Sequence, residues 1–80
     1  MTLSDRHRDI LVMVAWYIEE YGYAPSMRDI IAFCGLSSPS AAARALLRLE
    51  EKGLLRRDRH VSRSIVLTDA GKALLAEARA

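Results

Sequence analysis

The chain has 80 residues, enough for one small domain and near the lower end of what folds without disulfides or metal. Its 51% hydrophobic and 28% charged content is ordinary for a soluble globular protein and excludes disorder as the default. A single cysteine, Cys34, excludes an internal bridge and a zinc cluster, while the N-terminus lacks a signal core and no run reaches membrane-spanning length.

Ser4 and Asp5 are good N-cap residues, and Ile10, Val14, Tyr17, Ile18 and Tyr21 follow at spacings of three and four. That pattern predicts an amphipathic first helix over 5–21, stopped by Gly22. Tyr23-Ala24-Pro25 reads as an extended connector, because the residue before proline avoids the helical region. Ser26 caps a second helix, with Asp29 as its capping-box partner three residues on. Ile30, Ile31 and Cys34 give this helix a buried side, and Gly35 ends it. Cys34 is expected to be a small buried hydrophobe rather than a reactive thiol.

Leu36-Ser37-Ser38 forms a tight turn. Ser38 suits the N-cap of a third helix and Pro39 its first position, where no N–H is needed. This helix runs to about Lys52 with Ala42, Leu46 and Leu49 on one stripe, and Gly53 supplies a left-handed residue beyond it. Residues 54–57 and 64–67 then read as two strands around the polar connector "DRHVSR", with Leu55, Ile65 and Leu67 for the core. Thr68 or Asp69 caps a last helix, 70–79, bearing Leu74, Leu75 and Ala78.

The expected fold is therefore mainly α with a small β-hairpin: a three-helix core, a two-stranded wing and a C-terminal helix. It occupies 1–80 as one domain, with a core over 3–67 and the final helix over 69–79. Three helices with a short second-to-third turn, followed by a hairpin, describe a winged helix-turn-helix. In that arrangement the outer face of the third helix projects and fits a major groove of ~12 Å width.

Charge distribution agrees. The chain carries only +2 overall, but residues 44–63 hold seven basic side chains against three acidic, a net +4. Residues 1–43 carry −2 and residues 64–80 cancel. A contiguous basic third favours a polyanion partner. No paired carboxylates, glycine-rich phosphate loop or metal-ligand spacing is present, and His7 and His60 lack a partner at motif spacing, so neither an enzyme nor a cofactor is expected.

Five stretches carry a family resemblance: "LSDRHRDIL", "YIEEYGYAPSMRDI", "CGLSSPSAA", "LRLEEKGLLRR" and "RSIVL". Together they span residues 3–67 and resemble, without gaps, the N-terminal DNA-binding domain of the LexA repressor family. The resemblance implies a winged fold, duplex DNA as ligand and a repressor-type role in a bacterial or phage-type cytoplasm, associated with the nucleoid. It also implies that Ser38, Ser40, Ala41, Ala43 and Arg44 read bases.

Three departures stand out. The family's self-cleaving Ser-Lys peptidase domain lies beyond the match, so autoproteolysis and DNA-damage sensing are not expected, and dimerisation needs another source. Acidic residues common in the family at Ala43 and Arg44 are absent, so the family's operator sequence does not transfer. Val12, Trp16, Phe33 and Leu47 are apolar where the family usually carries polar residues.

Each candidate has a physical role. Arg44, opposite Ala42, Leu46 and Leu49, offers bidentate donors to guanine, and Ser38 and Ser40 stand at a positive helix N-terminus. Ser26, Arg28, Arg48, Arg57, Arg59, His60 and Arg63 are expected along the phosphate backbone, although Arg28 also suits a pairing with Asp29 or Glu20. The closing "LTDAGKALLAEARA" resembles the terminal stretch of MarR- and PadR-like winged regulators, whose last helices commonly dimerise. Val12, Trp16, Leu74, Leu75 and Ala78 are thus expected at a dimer or partner surface, two copies reading a palindrome. Packing of the last helix within one chain satisfies the same residues. The competing function is a protein-interaction module, an anti-repressor or adaptor, that uses exposed Trp16, Phe33 and Leu47.

Overall fold

The computed structural model describes residues 4–58 and 60–79, with side chains as far as Glu77. The first helix, α1 (Asp5–Tyr21), starts where the Ser4 hydroxyl accepts from the His7 N–H at 3.2 Å. It buries Ile10, Leu11, Met13, Val14 and Tyr17. The second, α2 (Met27–Cys34), carries the capping box expected of Ser26 and Asp29, each side chain accepting from the other's backbone N–H. The third, α3 (Pro39–Glu51), opens on a Ser38 cap, with the Ala41 N–H donating at 3.2 Å. Its buried residues are Ala42, Ala45, Leu46 and Leu49.

The end of α3 explains why the strands are shorter than the sequence suggests. Gly53, at φ +73°, donates its N–H to the Glu50 carbonyl, and the Leu54 N–H reaches back to the Leu49 carbonyl at 3.0 Å. That pair of bonds is a Schellman motif, closed by buried Leu49 and Leu54. Leu54 is therefore consumed by the helix cap rather than the sheet. The strands β1 (Leu55–Arg56) and β2 (Val66–Leu67) pair antiparallel, Leu55 opposite Leu67 and Arg56 opposite Val66. Toward the tip, side chains replace the ladder. The Asp58 N–H donates to the Ser64 hydroxyl at 2.9 Å, and that hydroxyl donates to the Asp58 carbonyl at 2.7 Å.

Thr68, rather than Asp69, caps α4 (Asp69–Arg79). Its hydroxyl accepts from the Gly71 N–H at 3.0 Å and donates to the Gly53 carbonyl at 2.6 Å, while its own N–H donates to the Leu54 carbonyl. The turn of α3 into β1 and the start of α4 are thus stitched backbone to backbone. Gly71 is essential to that closeness, because a Cβ there would collide with the Leu54 carbonyl oxygen.

From there α4 lies on α1 and β2 of its own chain. Leu75 is only 6% exposed and joins the core with Ile10, Leu11, Ile30, Leu46 and Leu55, while Leu74 packs partly buried against it. Of the two alternatives open for Leu75, a second subunit or its own chain, the structure shows the second: its apolar surface is buried within its own chain. The side chain of Ala78 lies outside the described residues.

Candidate nucleic-acid interface

Between α2 and α3 the chain turns through 100°, within the range of helix-turn-helix units. Burial of Ala42, Ala45, Leu46 and Leu49 on one side of α3 leaves Ser40, Arg44, Leu47, Arg48 and Glu51 exposed on the other. Ser40, Arg44 and Arg48 sit one turn apart along this outer stripe. Ser38, Ala41 and Ala43 are half-buried at its edge. Among the described residues no other element covers the stripe, and Arg44 makes no ion pair. Leu47, 40% exposed, lies on the same stripe. Of the residues expected to read bases, Ser40 and Arg44 are the two fully presented.

Positive charge flanks the stripe. The dipole of α3 places its positive end beside Ser40, and Arg48 and Lys52 add basic side chains towards the other end, next to the exposed Glu51. His7 registers that charge: burial first, then Lys52, Arg48 and Arg6, lower the pKa of its imidazole. Its Nδ1 is sealed from solvent without a hydrogen-bond partner among the described residues. Neutral His7 adds no charge of its own.

The residues expected along the backbone divide into two groups. Arg28, Arg48 and His60 are exposed, and Arg28 makes no ion pair among the described residues; Asp29, its expected rival partner, is taken by Arg63. Ser26 is half-buried and spends its hydroxyl on the α2 cap. Arg59 lies outside the described residues.

Arg57 and Arg63 depart from the expectation. The Arg57 Nε donates to Glu50 Oε2 at 3.2 Å, with the two side chains only 12% and 19% exposed, so this guanidinium ties the wing to the end of α3. Arg63 turns inward. One nitrogen, Nη1, faces Asp29 Oδ2 at 3.0 Å, Tyr17 Oη at 3.1 Å and the Ala24 carbonyl at 3.2 Å. The guanidinium also lies over the Tyr23 ring, 5.1 Å from its centroid.

Asp29 Oδ2 accepts from the Ser26 N–H, the Tyr17 hydroxyl and Arg63 together. The Ser26 N–H above all, with the Ser26 hydroxyl, Tyr17 and Arg63, holds the Asp29 carboxyl at about 2, below its ordinary 3.8. Sequence reasoning placed Tyr17 in the core and Asp29 in the cap. Their joint use of Arg63 was invisible, because 46 and 34 residues separate the partners.

On the α1–α2 side, Val12 and Trp16 are each 41% exposed and Phe33 55%. Trp16 stacks against Phe33 at 5.7 Å between centroids, and Tyr17, Tyr21 and Tyr23 continue the cluster, so all five aromatic residues of the chain meet here.

Comparison with known proteins agrees with this geometry. The LexA DNA-binding domain model matches residues 1–64. The LexA repressor of Thermobifida fusca (strain YX) is 44% identical over 64 residues, which is 80% of this chain and 25% of that protein. The LexA repressor of Bifidobacterium longum (strain NCC 2705) is 42% identical over 76 residues, 95% of this chain and 31% of its own length. LexA repressor 1 of Nocardia farcinica (strain IFM 10152) is 50% identical over 63 residues, covering 79% and 29%. The chain thus spans between a quarter and a third of the curated relatives it matches. With the family model covering 64 of its 80 residues, the chain belongs to the LexA DNA-binding domain family.

Proposed function

We propose that this chain is the duplex-binding unit of a transcriptional repressor, reading sequence with the outer stripe of α3. The observation that carries the reading is the exposed Arg44, without an ion pair among the described residues, one turn after Ser40 near the positive end of a helix whose other side is buried. Arg44 meets guanine O6 and N7, while Ser38 and Ser40 donate to phosphate or base and Ala41 and Ala43 allow close approach. Arg28, Arg48, Arg59, His60 and Ser26 line the backbone and fix register. Two copies bind a palindromic operator with half-sites about one helical turn apart. The reading implies a bacterial or phage-type protein of the cytoplasm, associated with the nucleoid.

Selection of bound sequences from a random duplex pool tests this directly. An enriched inverted repeat with a guanine in each half supports base reading and symmetry together. Recovery of no motif overturns base reading, and a lone half-site overturns the dimer.

A second reading rests on the aromatic cluster. Trp16, Phe33 and Leu47 offer a partner protein exposed apolar surface, as expected of an anti-repressor or adaptor. It requires weak, sequence-independent DNA binding and a partner that Trp16→Glu releases; a motif recovered from the duplex pool counts against it.

A further inference from the structure

We infer that Arg63 is a positioning residue: it latches the wing to α1 and to the helix-turn-helix, presetting the wing for duplex without itself meeting a phosphate. The inference rests on the DNA-binding reading above. The need for a latch follows from the hairpin. Its strands are two residues each, and an isolated two-stranded hairpin is at best marginally stable, so the ladder alone leaves 57–58 and 60–65 unfixed. Among the described residues of the tip, before Arg63 is counted, the hydrogen bonds are local: His60 N–H to Asp58 Oδ1, Val61 N–H to the Asp58 carbonyl, and the Asp58–Ser64 pair. They shape the loop but do not aim it.

Aim comes from elsewhere. Buried Ile65 and the Arg57–Glu50 pair hold the strand side, and Arg63 supplies the tie to α1 and α2. Through Tyr17 it reaches α1, through the Ala24 carbonyl the connector, and through Asp29 the first turn of α2. Its backbone sits at φ +55°, a region that residues with a Cβ rarely occupy and keep only where surrounding contacts over-determine it. Nη1 and one face of the guanidinium are committed to the protein itself, which ties Arg63 down as a positioning group although its side chain stays 41% exposed.

Arg63→Ala, Asp29→Asn and Tyr17→Phe test the latch, each measured against the selected duplex across a salt series. If release leaves the wing aimed for about a tenth of the time, Arg63→Ala binds about tenfold more weakly. The slope of log affinity against log salt stays at the wild-type value, whereas loss of a direct phosphate contact reduces it by about one. Asp29→Asn also binds more weakly, although removing a negative charge should by itself favour a polyanion. The Arg63→Ala/Asp29→Asn double variant is no weaker than the worse of those two singles. Tyr17→Phe, which removes one hydroxyl, gives a smaller loss of the same sign should Arg63→Ala unfold. Without DNA, the 60–64 amides exchange faster in Arg63→Ala while those of α3 do not. A shallower salt slope, tighter binding by Asp29→Asn, additive losses or unchanged exchange overturns the latch. A wild-type chain that binds no duplex sinks the DNA-binding reading, and the latch with it; wild-type binding matched by Arg63→Ala sinks the latch alone.

Discussion

The helix-turn-helix and the wing are held by opposite means. Contacts three or four residues apart define α2 and α3: the Ser26–Asp29 box, the Ser38 cap, and the stripe of Ala42, Leu46 and Leu49. The wing has four residues in strands and takes its place from partners far along the chain: Glu50 to Arg57, Tyr17 and Asp29 to Arg63, and Leu54 to Thr68. Local burial and capping give the reading element rigidity, while distributed polar ties give the wing a position without a large core. The lesson is that a small domain can hold one DNA-facing part by packing and the other by tethering.

The sharpest way to break the packed side is Leu46→Ala. Leu46 is fully buried, so its loss costs ~2–5 kcal/mol and lowers the melting temperature, with α3 amides losing exchange protection first. Gly71→Ala strikes the tethered side. Its new methyl collides with the Leu54 carbonyl and forces α4 away from the wing, a change on the order of 1–3 kcal/mol in denaturant titration. If its midpoint matches wild type, the α4 junction is not a close contact.

Arg44→Ala leaves both sides intact and removes only what the packing presents. Thermal stability stays within ~0.5 kcal/mol of wild type, while preference at one base position relaxes by ~1–3 kcal/mol in competition binding. Ser38→Ala unties the local cap of α3 and destabilises by ~1 kcal/mol, with exchange increased at residues 39–42 and unchanged in the wing.

Acid gives the smallest effect and acts where the two sides share Asp29. Asp29 titrates at about 2 in the folded chain against an ordinary 3.8, so its contribution is complete above pH ~4 and is lost as pH falls through about 2. Protonation weakens the α2 capping box first, since the Ser26 N–H is the largest cause of the lowered pKa, and the tie to Arg63 with it. The Asp29 carboxyl carbon shift checks this by NMR: a midpoint near 2 agrees, and one near 4 removes these contacts.

What could be read from residue order follows the same divide. Helix boundaries were legible within a residue or so because Ser4, Ser26, Ser38 and Gly53 act on neighbours, and the inward stripe of α3 followed from spacing alone. The outward placement of Ser40 and Arg44 came with it. Arg57 and Arg63 were not legible as ties, since nothing local distinguishes an arginine facing solvent from one folded onto a tyrosine 46 residues away. The strands were overextended in the reading because Leu54 serves the α3 cap before it can serve the sheet. Leu75 was left open between two burial partners, and the close approach of Gly71 to Leu54 explains why its own chain claims it.

The chain's one tryptophan has a practical consequence. Trp16 stands half in water, with its ring centroid 6.4 Å from that of Tyr17, the residue whose hydroxyl meets both Arg63 and Asp29. Indole fluorescence is therefore a label-free optical gauge inherent in the protein, set beside the joint where the hairpin is moored. Loosening of that joint by acid or mutation becomes visible as a change in emission, with no dye attached.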